Sequence, residues 1–267
     1  MNSRSSPIML TVVSLIYAFL LAPLIVVILF SFSNRSYFTF PPTEFSLRWY
    51  KAAWELGTFG GPMLRSVLLA IGSTILAGAF AVPAALAIRR IRGTRLARVV
   101  EFVLLTPLVV PALIIGIALL YYFLHFNLID TLSALVVSHT LLVFPFMFRA
   151  ILVSAMEIKP HLEEASEILG APPLRTFFSV VLPSLAPGIT SGAIFAFIVS
   201  FDQFTISLFV TQSEQVTLPV ALYRYVYDVN DPVAAAVSSS LVLFGLVFAI
   251  VLQKAGLLKH VGGRGAG

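Results

Sequence analysis

The sequence predicts an all-α membrane protein with six transmembrane helices, and three observations carry that prediction. The first is composition. Of 267 residues, 59% are hydrophobic and 11% charged, with a mean hydropathy of +0.99, whereas a soluble domain averages about 45–50% apolar and about 25% charged. The second is that six apolar runs, each long enough to cross a bilayer, are separated by polar or proline-broken stretches. The third is that the basic residues stand at the ends of those runs, so topology explains the net charge of +5 and the pI near 9.7 without nucleic acid. No cysteine is present, which excludes disulfides, thiolate chemistry and Cys-ligated metals. The four histidines, His125, His139, His161 and His260, have no metal-binding spacing, and no metal is expected.

The first predicted span covers residues 8–32. It is too long for a signal h-region and lacks a small-x-small cleavage site, so it reads as retained. Residues 33–61 are polar and aromatic, broken by Pro41-Pro42 and Gly60-Gly61-Pro62, and Trp49, Tyr50 and Trp54 suit a segment lying in the interface. The second span, 63–88, is rich in Ala and Gly, which permits close helix packing. Five arginines follow (Arg89, Arg90, Arg92, Arg95 and Arg98), chiefly a topology signal with lipid headgroups within reach. The third span, 99–124, contains Pro107 and Pro111 and is expected to be kinked or broken. The fourth, 132–156, carries His139 and Pro145; the fifth, 184–210, carries the intramembrane acid Asp202; the sixth is 232–252, before a basic, glycine-rich tail.

Six spans place both termini on one side. Twelve basic residues fall there (Arg4, the five of the arginine loop, Arg149, Lys159, Arg175, Lys254, Lys259 and Arg264). Arg35, Arg48, Lys51, Arg65 and Arg224 make five on the other. The excess assigns the termini and the loop 157–183 to the cytoplasm. Neither an internal repeat nor a soluble domain is visible, so the chain reads as a single transmembrane domain.

That loop reads EIKPHLEEASEILGAPPLRTFFSVVLP. Pro160 suits a first helical turn, Gly170 the left-handed position after a helix end, and Pro172-Pro173 a restart, so two short helices are expected. On the first, Leu162, Ala165, Ser166 and Leu169 share a stripe, with Glu163, Glu164 and Glu167 on the other face.

Glu164-Ala165-Ser166, three residues, Gly170, nine residues and Val180-Val181-Leu182-Pro183 resemble the EAA motif of the membrane subunits of ATP-binding-cassette importers. The departures are Ser for Ala and Val for Ile, and the position between the fourth and fifth spans also matches. The opening IYAFLLAPLIVVILFSFSN, FSLRWY, SHTLLVFPF and SFDQFTISLFVT followed by TLPVALY resemble permeases of the spermidine/putrescine type. Permeases for phosphonate, thiamine, ferric iron and other organic cations share much of this pattern.

The resemblance implies a type I importer (MetI-like) permease fold in a bacterial inner membrane, with polyamine as the expected solute. It implies a cytoplasmic ATPase dimer, a second permease forming a heterodimer, and a periplasmic or lipid-anchored solute-binding protein. Leu162, Glu163, Glu164, Ala165, Ser166, Leu169, Gly170, Leu182 and Pro183 would form the ATPase-coupling site. The chain has no GxxxxGK[ST] and no Gly-Lys dipeptide, so it has no P-loop; it is expected to bind no cofactor and catalyse nothing, ATP and magnesium being used by the partner.

Asp202, His139 and Gln203 are the substrate-pathway candidates. A charge within a span costs on the order of 2.5–3.5 kcal/mol on insertion scales, so it faces a cavity or a partner. Asp202 either contacts an ammonium group in transit or is satisfied structurally by Gln203, His139 or a second permease. A packed, hydrogen-bonded role is favoured for His139. Tyr223, Tyr225 and Tyr227 fit an outer vestibule, a docking surface or an aromatic belt equally well. A secondary transporter would spread charges along several spans and leave the acidic loop unexplained; a membrane scaffold is the remaining rival.

Overall fold

In the computed structural model, residues 7–37, 44–229 and 231–254 are described, and every described regular element is helical. Arg4, Pro41-Pro42, and the tail from residue 255 with Lys259, His260 and Arg264 lie outside them. The chain divides into two units, residues 1–59 with 222–250, and residues 60–221 with 251–267.

The first unit opens with α1 (Pro7–Ser31), apolar throughout. A short bridge between Ser33 and Phe45 folds the chain back, and α2 (Arg48–Leu56) follows, ending at Gly57 in the left-handed region. The three aromatic residues that suit an interfacial segment, Trp49, Tyr50 and Trp54, differ in their surroundings. Trp49 is buried and its indole N–H donates to the Ser33 carbonyl at 2.6 Å, Tyr50 shares a 2.7 Å hydrogen bond with Ser31, and Trp54 alone of the three is exposed. The unit also holds most of α11 (Leu218–Asp228) and α12 (Val233–Lys254), where Asp231 accepts from the Tyr225 hydroxyl and caps α12 through the Val233 N–H.

The second unit is built on α3 (Gly60–Arg90), α6 (Leu132–Glu157) and α9 (Leu182–Phe201), which pack on one another. Its core joins Ala77, Ala81 and Ala85 of α3, Val143, Met147, Phe148, Ile151 and Ala155 of α6, and Leu185 and Ala196 of α9. The small alanines of α3 allow the close approach that the sequence suggests. A second cluster at the other end joins Leu69, Leu135, Ile206 and Val210 with Ile115 and Phe123 of α5 (Ala112–His125).

Two spans differ from the sequence expectation. The third is broken as foreseen, but more sharply: α4 (Arg95–Leu105) and a 3₁₀ turn at Thr106–Leu108 meet α5 at a bend of 92°. Pro107 and Pro111 each remove a backbone donor there. The fifth, expected to be continuous over 184–210, is interrupted at Asp202-Gln203-Phe204 and resumes as α10 (Thr205–Val210). No proline or glycine marks that break. At its start this span is longer than expected: α8 (Pro173–Thr176), a π turn at Phe177–Val181 and α9 run on as one apolar helix, so the second helix of the loop is the base of the span itself. The π turn suits Pro183, whose missing N–H cannot continue an α ladder.

Among the described residues, four helices are long and apolar enough to cross a membrane, and the bent α4–α5 pair makes a fifth. The apolar stretch of α12, Val233–Val247, is shorter.

Candidate functional site

The helix α7 (Pro160–Ile168) is where the sequence places it. Pro160 occupies its first turn, and Gly170 (φ +78°) takes the left-handed turn that ends it, with the Gly170 and Ala171 N–H groups donating to the Glu167 and Ser166 carbonyls. A Cβ at Gly170 would meet nothing within 4 Å, so backbone conformation, not space, is what demands glycine.

Three attachments hold α7. The Arg89 guanidinium at the end of α3 pairs with the Glu163 carboxylate through Nη1, and its Nη2 donates to the Ile158 carbonyl at 3.1 Å. Ser166 shares a 2.9 Å hydrogen bond with Thr176 at the base of the fifth span. These contacts correct the face assignment. Glu163 does not stand with Glu164 and Glu167 in solvent; it and Ser166, three residues apart on one side of the helix, are turned inward and half-buried. Leu162, Glu164, Ala165 and Glu167 are exposed, and Ile168 and Leu169 are 85% and 86% exposed. Leu182 and Pro183 stand apart, inside the continuous helix above the π turn. The outward face of α7 is therefore an apolar patch edged along one side by two carboxylates, on a helix pinned to α3 and to the fifth span.

The substrate-pathway residues are not one cluster of partners. His139 is buried, with Nδ1 2.8 Å from the Ser200 hydroxyl and Nε2 3.0 Å from that of Ser207. Ser207 donates its own proton to the Gln203 carbonyl at 2.8 Å, so Nε2 of the imidazole carries the proton and Nδ1 accepts from Ser200. Both ring nitrogens are thereby used within the α6–α9–α10 packing, and the pairing of Asp202 with His139 considered from sequence is not formed. Asp202 occupies the C-cap position of α9, one residue past the end of the apolar helix, and is exposed. The side-chain nitrogen of neighbouring Gln203 is buried without a hydrogen-bond partner.

Two features escaped the sequence reading. Asp130 (φ +58°) turns its carboxylate onto four successive backbone N–H groups, of Gln212, Ser213, Glu214 and Gln215, at 2.9–3.1 Å. Burial pushes its pKa up, but the four donors outweigh burial and hold it down at about 2. With Arg65 donating to the Val216 carbonyl and the Ser66 hydroxyl accepting from the Leu218 N–H, it fastens the segment after α10 at the end of the unit opposite α7. The second is the Gly188-x-x-x-Gly192 pair of α9. A Cβ at Gly188 would come within 2.6 Å of the Ala150 carbonyl oxygen and of Ser154 Oγ, and one at Gly192 within 2.9 Å of the Met147 sulfur. The spacing was legible as a small-x-x-x-small contact motif; the partner helix was not.

Residues 78–254 match the family described as "Binding-protein-dependent transport system inner membrane component". The molybdenum transport system permease protein ModB of Mycobacterium tuberculosis is 35% identical over 213 residues, covering 75% of this chain and 80% of that protein. The putrescine transport system permease protein PotI of Escherichia coli K12 is 29% identical over 259 residues, covering 91% and 88%. A similar fold occurs in a bacterial ABC transporter involved in import of the acidic polysaccharide alginate (TM-score 0.76, 17% identity, 95% of this chain and 98% of that one). The MetNI methionine ABC transporter also shares it (TM-score 0.61, 19% identity, 78% and 98%).

Proposed function

This chain belongs to the family of binding-protein-dependent transport system inner membrane components, and on that premise we propose that it forms half of the translocation pathway of an ATP-driven importer, coupled through α7 to a separate ATPase. The observation that carries the reading is α7 itself. A helix attached at Arg89–Glu163, Arg89–Ile158 and Ser166–Thr176 offers Leu162, Ala165, Ile168 and Leu169, with Glu164 and Glu167 beside them, to solvent. Apolar side chains of that size gain by burial against a partner, and the two carboxylates suit a groove with basic residues. Closure of an ATPase dimer would pull α7 and, through its attachments, α3 and the fifth span. The second permease, the solute-binding protein, the six-span count and the cytoplasmic placement of termini and α7 belong to the same proposal, the last supported by the basic-residue asymmetry.

For the solute we infer an organic cation of the polyamine class. Asp202 sits exposed where the fifth span breaks, so an acid rather than a base faces the space beside it, and the likeness to a putrescine permease extends over 91% of the chain. The 35% identity with a molybdenum transport permease favours molybdenum, as its oxyanion, as the second reading.

Native purification tests the coupling: the wild-type chain should bring with it an ATPase bearing a Walker motif, and Glu164→Arg should release that subunit while the chain remains inserted. A native complex without an ATPase refutes the proposal. For the solute, excess putrescine should compete in proteoliposome uptake and Asp202→Asn should reduce transport at unchanged protein level. Competition by molybdate alone selects the oxyanion.

A further inference from the structure

The arginines that follow α3 do not share one environment. Arg89 is committed to Glu163 and Ile158, and Arg90 lines the cleft between α3 and α7. Gly93 (φ +86°) turns the chain, and Thr94 caps α4 by accepting from the Ala97 N–H at 3.1 Å. Arg95 and Arg98, on the first turn of α4, are exposed, and among the described residues neither has a carboxylate partner. The two are three residues apart; Val99 lies four after Arg95 and Phe102 four after Arg98, so all four share one face. They line a cleft of about 370 Å³. The opposite face is inward, with Ala97 buried and Val100 and Leu104 packed against the core. The one acid of α4, Glu101, is drawn to Arg149 at 2.9 Å.

We propose that this cleft binds one anionic phospholipid, the phosphodiester between the Arg95 and Arg98 guanidinium groups and an acyl chain along Val99 and Phe102. Charge and the exposed apolar surface beside it both select that occupant. Two unpaired guanidinium groups form a fork suited to phosphate oxygens. Val99 and Phe102, 60% and 72% exposed, continue the same cleft as an apolar surface that a soluble phosphate would leave wet. Phe102 lies seven residues beyond Arg95, roughly 10 Å along the axis at 1.5 Å per residue, which leaves room for an acyl chain to run along the helix away from the guanidinium groups. A lipid seated here would brace α4 next to the arginine that holds α7.

The test is native mass spectrometry of the full-length chain released from nanodiscs containing equal parts phosphatidylglycerol and phosphatidylcholine. The wild type should retain one phosphatidylglycerol, and Arg95→Gln/Arg98→Gln should lower that retention about 25-fold, on the basis of roughly fivefold per basic residue near a lipid surface. Arg92→Gln should leave it within twofold. Phe102→Ala, which keeps both charges, should weaken it severalfold and guards against misfolding of the double variant. Millimolar glycerol 3-phosphate should not displace the lipid. Equal retention by wild type and double variant, no preference over phosphatidylcholine, or displacement by glycerol 3-phosphate would overturn the proposal. So would loss of the lipid on adding a partner subunit that covers Arg95 and Arg98. None of these readouts involves ATP or transport, so they stand or fall apart from the coupling role of α7.

Discussion

Arg89 is the residue whose removal tests the coupling geometry most directly. Its pair with Glu163 joins side chains only 17% and 29% exposed. A charge-assisted hydrogen bond contributes about 1.5–3 kcal/mol and a fully exposed ion pair about 0–1. Partial exposure puts this pair near 2 kcal/mol. It stays below the 3–5 kcal/mol lost when a buried charge is orphaned, because Glu163 can still reach water. Arg89→Ala also removes the bond to the Ile158 carbonyl, whereas Glu163→Gln leaves that bond intact, so the arginine variant should be the more damaging. A loss of about 2 kcal/mol changes the docked-to-undocked ratio of α7 about thirtyfold. Hydrogen exchange of the reconstituted chain reads that ratio: amides of residues 162–169 should lose up to about thirtyfold in protection, with those of Val143–Leu152 unchanged. The exchanged pair Arg89→Glu/Glu163→Arg should recover part of it, with a coupling energy of about 1–2 kcal/mol in the double-mutant cycle. Strictly additive single variants, or unaltered exchange in Arg89→Ala, would show that the Arg89–Glu163 pair does not hold α7, leaving the Ser166–Thr176 hydrogen bond and chain connectivity to do so.

Three further outcomes follow from the geometry. Asp130→Asn leaves four N–H donors facing an amide and should cost about 1–2 kcal/mol of thermal stability. In the wild type, the folded pKa of about 2 lies below the ordinary 3.8, so the clip contributes fully above about pH 4 and is lost as pH falls towards 2; a melting-temperature profile of wild type against variant should converge there. Gly188→Ala forces its Cβ against a backbone carbonyl and should cost about 1–3 kcal/mol in detergent melts, whereas Gly78→Ala meets only the flexible Met147 methyl at 2.8 Å and should be milder. His139→Phe strips Ser200 of its acceptor and should cost about 1 kcal/mol while uptake per folded molecule stays near wild type. Abolished uptake at wild-type stability would move His139 into the pathway.

Composition alone determined the solvent, because 59% apolar residues leave no soluble alternative. Local chemistry determined α7: Pro160 and Gly170 act on their own backbone, so proline and glycine mark its ends wherever the helix goes. The spacing that gives the loop its family resemblance is legible for the same reason. The orientation of α7 was not, since periodicity separates faces without saying which face meets protein. Arg89, 74 residues before Glu163, turns that glutamate inward and leaves Glu164 outside. Nor did the sequence announce the stop at Asp202, whose immediate neighbours include no proline or glycine. In lipid both sides of a span are apolar, so the amphipathic contrast that marks a helix face in water is missing. Asp130 makes the same point most plainly. Four backbone donors 82–85 residues away decide what its carboxylate does, and backbone N–H groups carry no side-chain signature for any reading of the sequence to find.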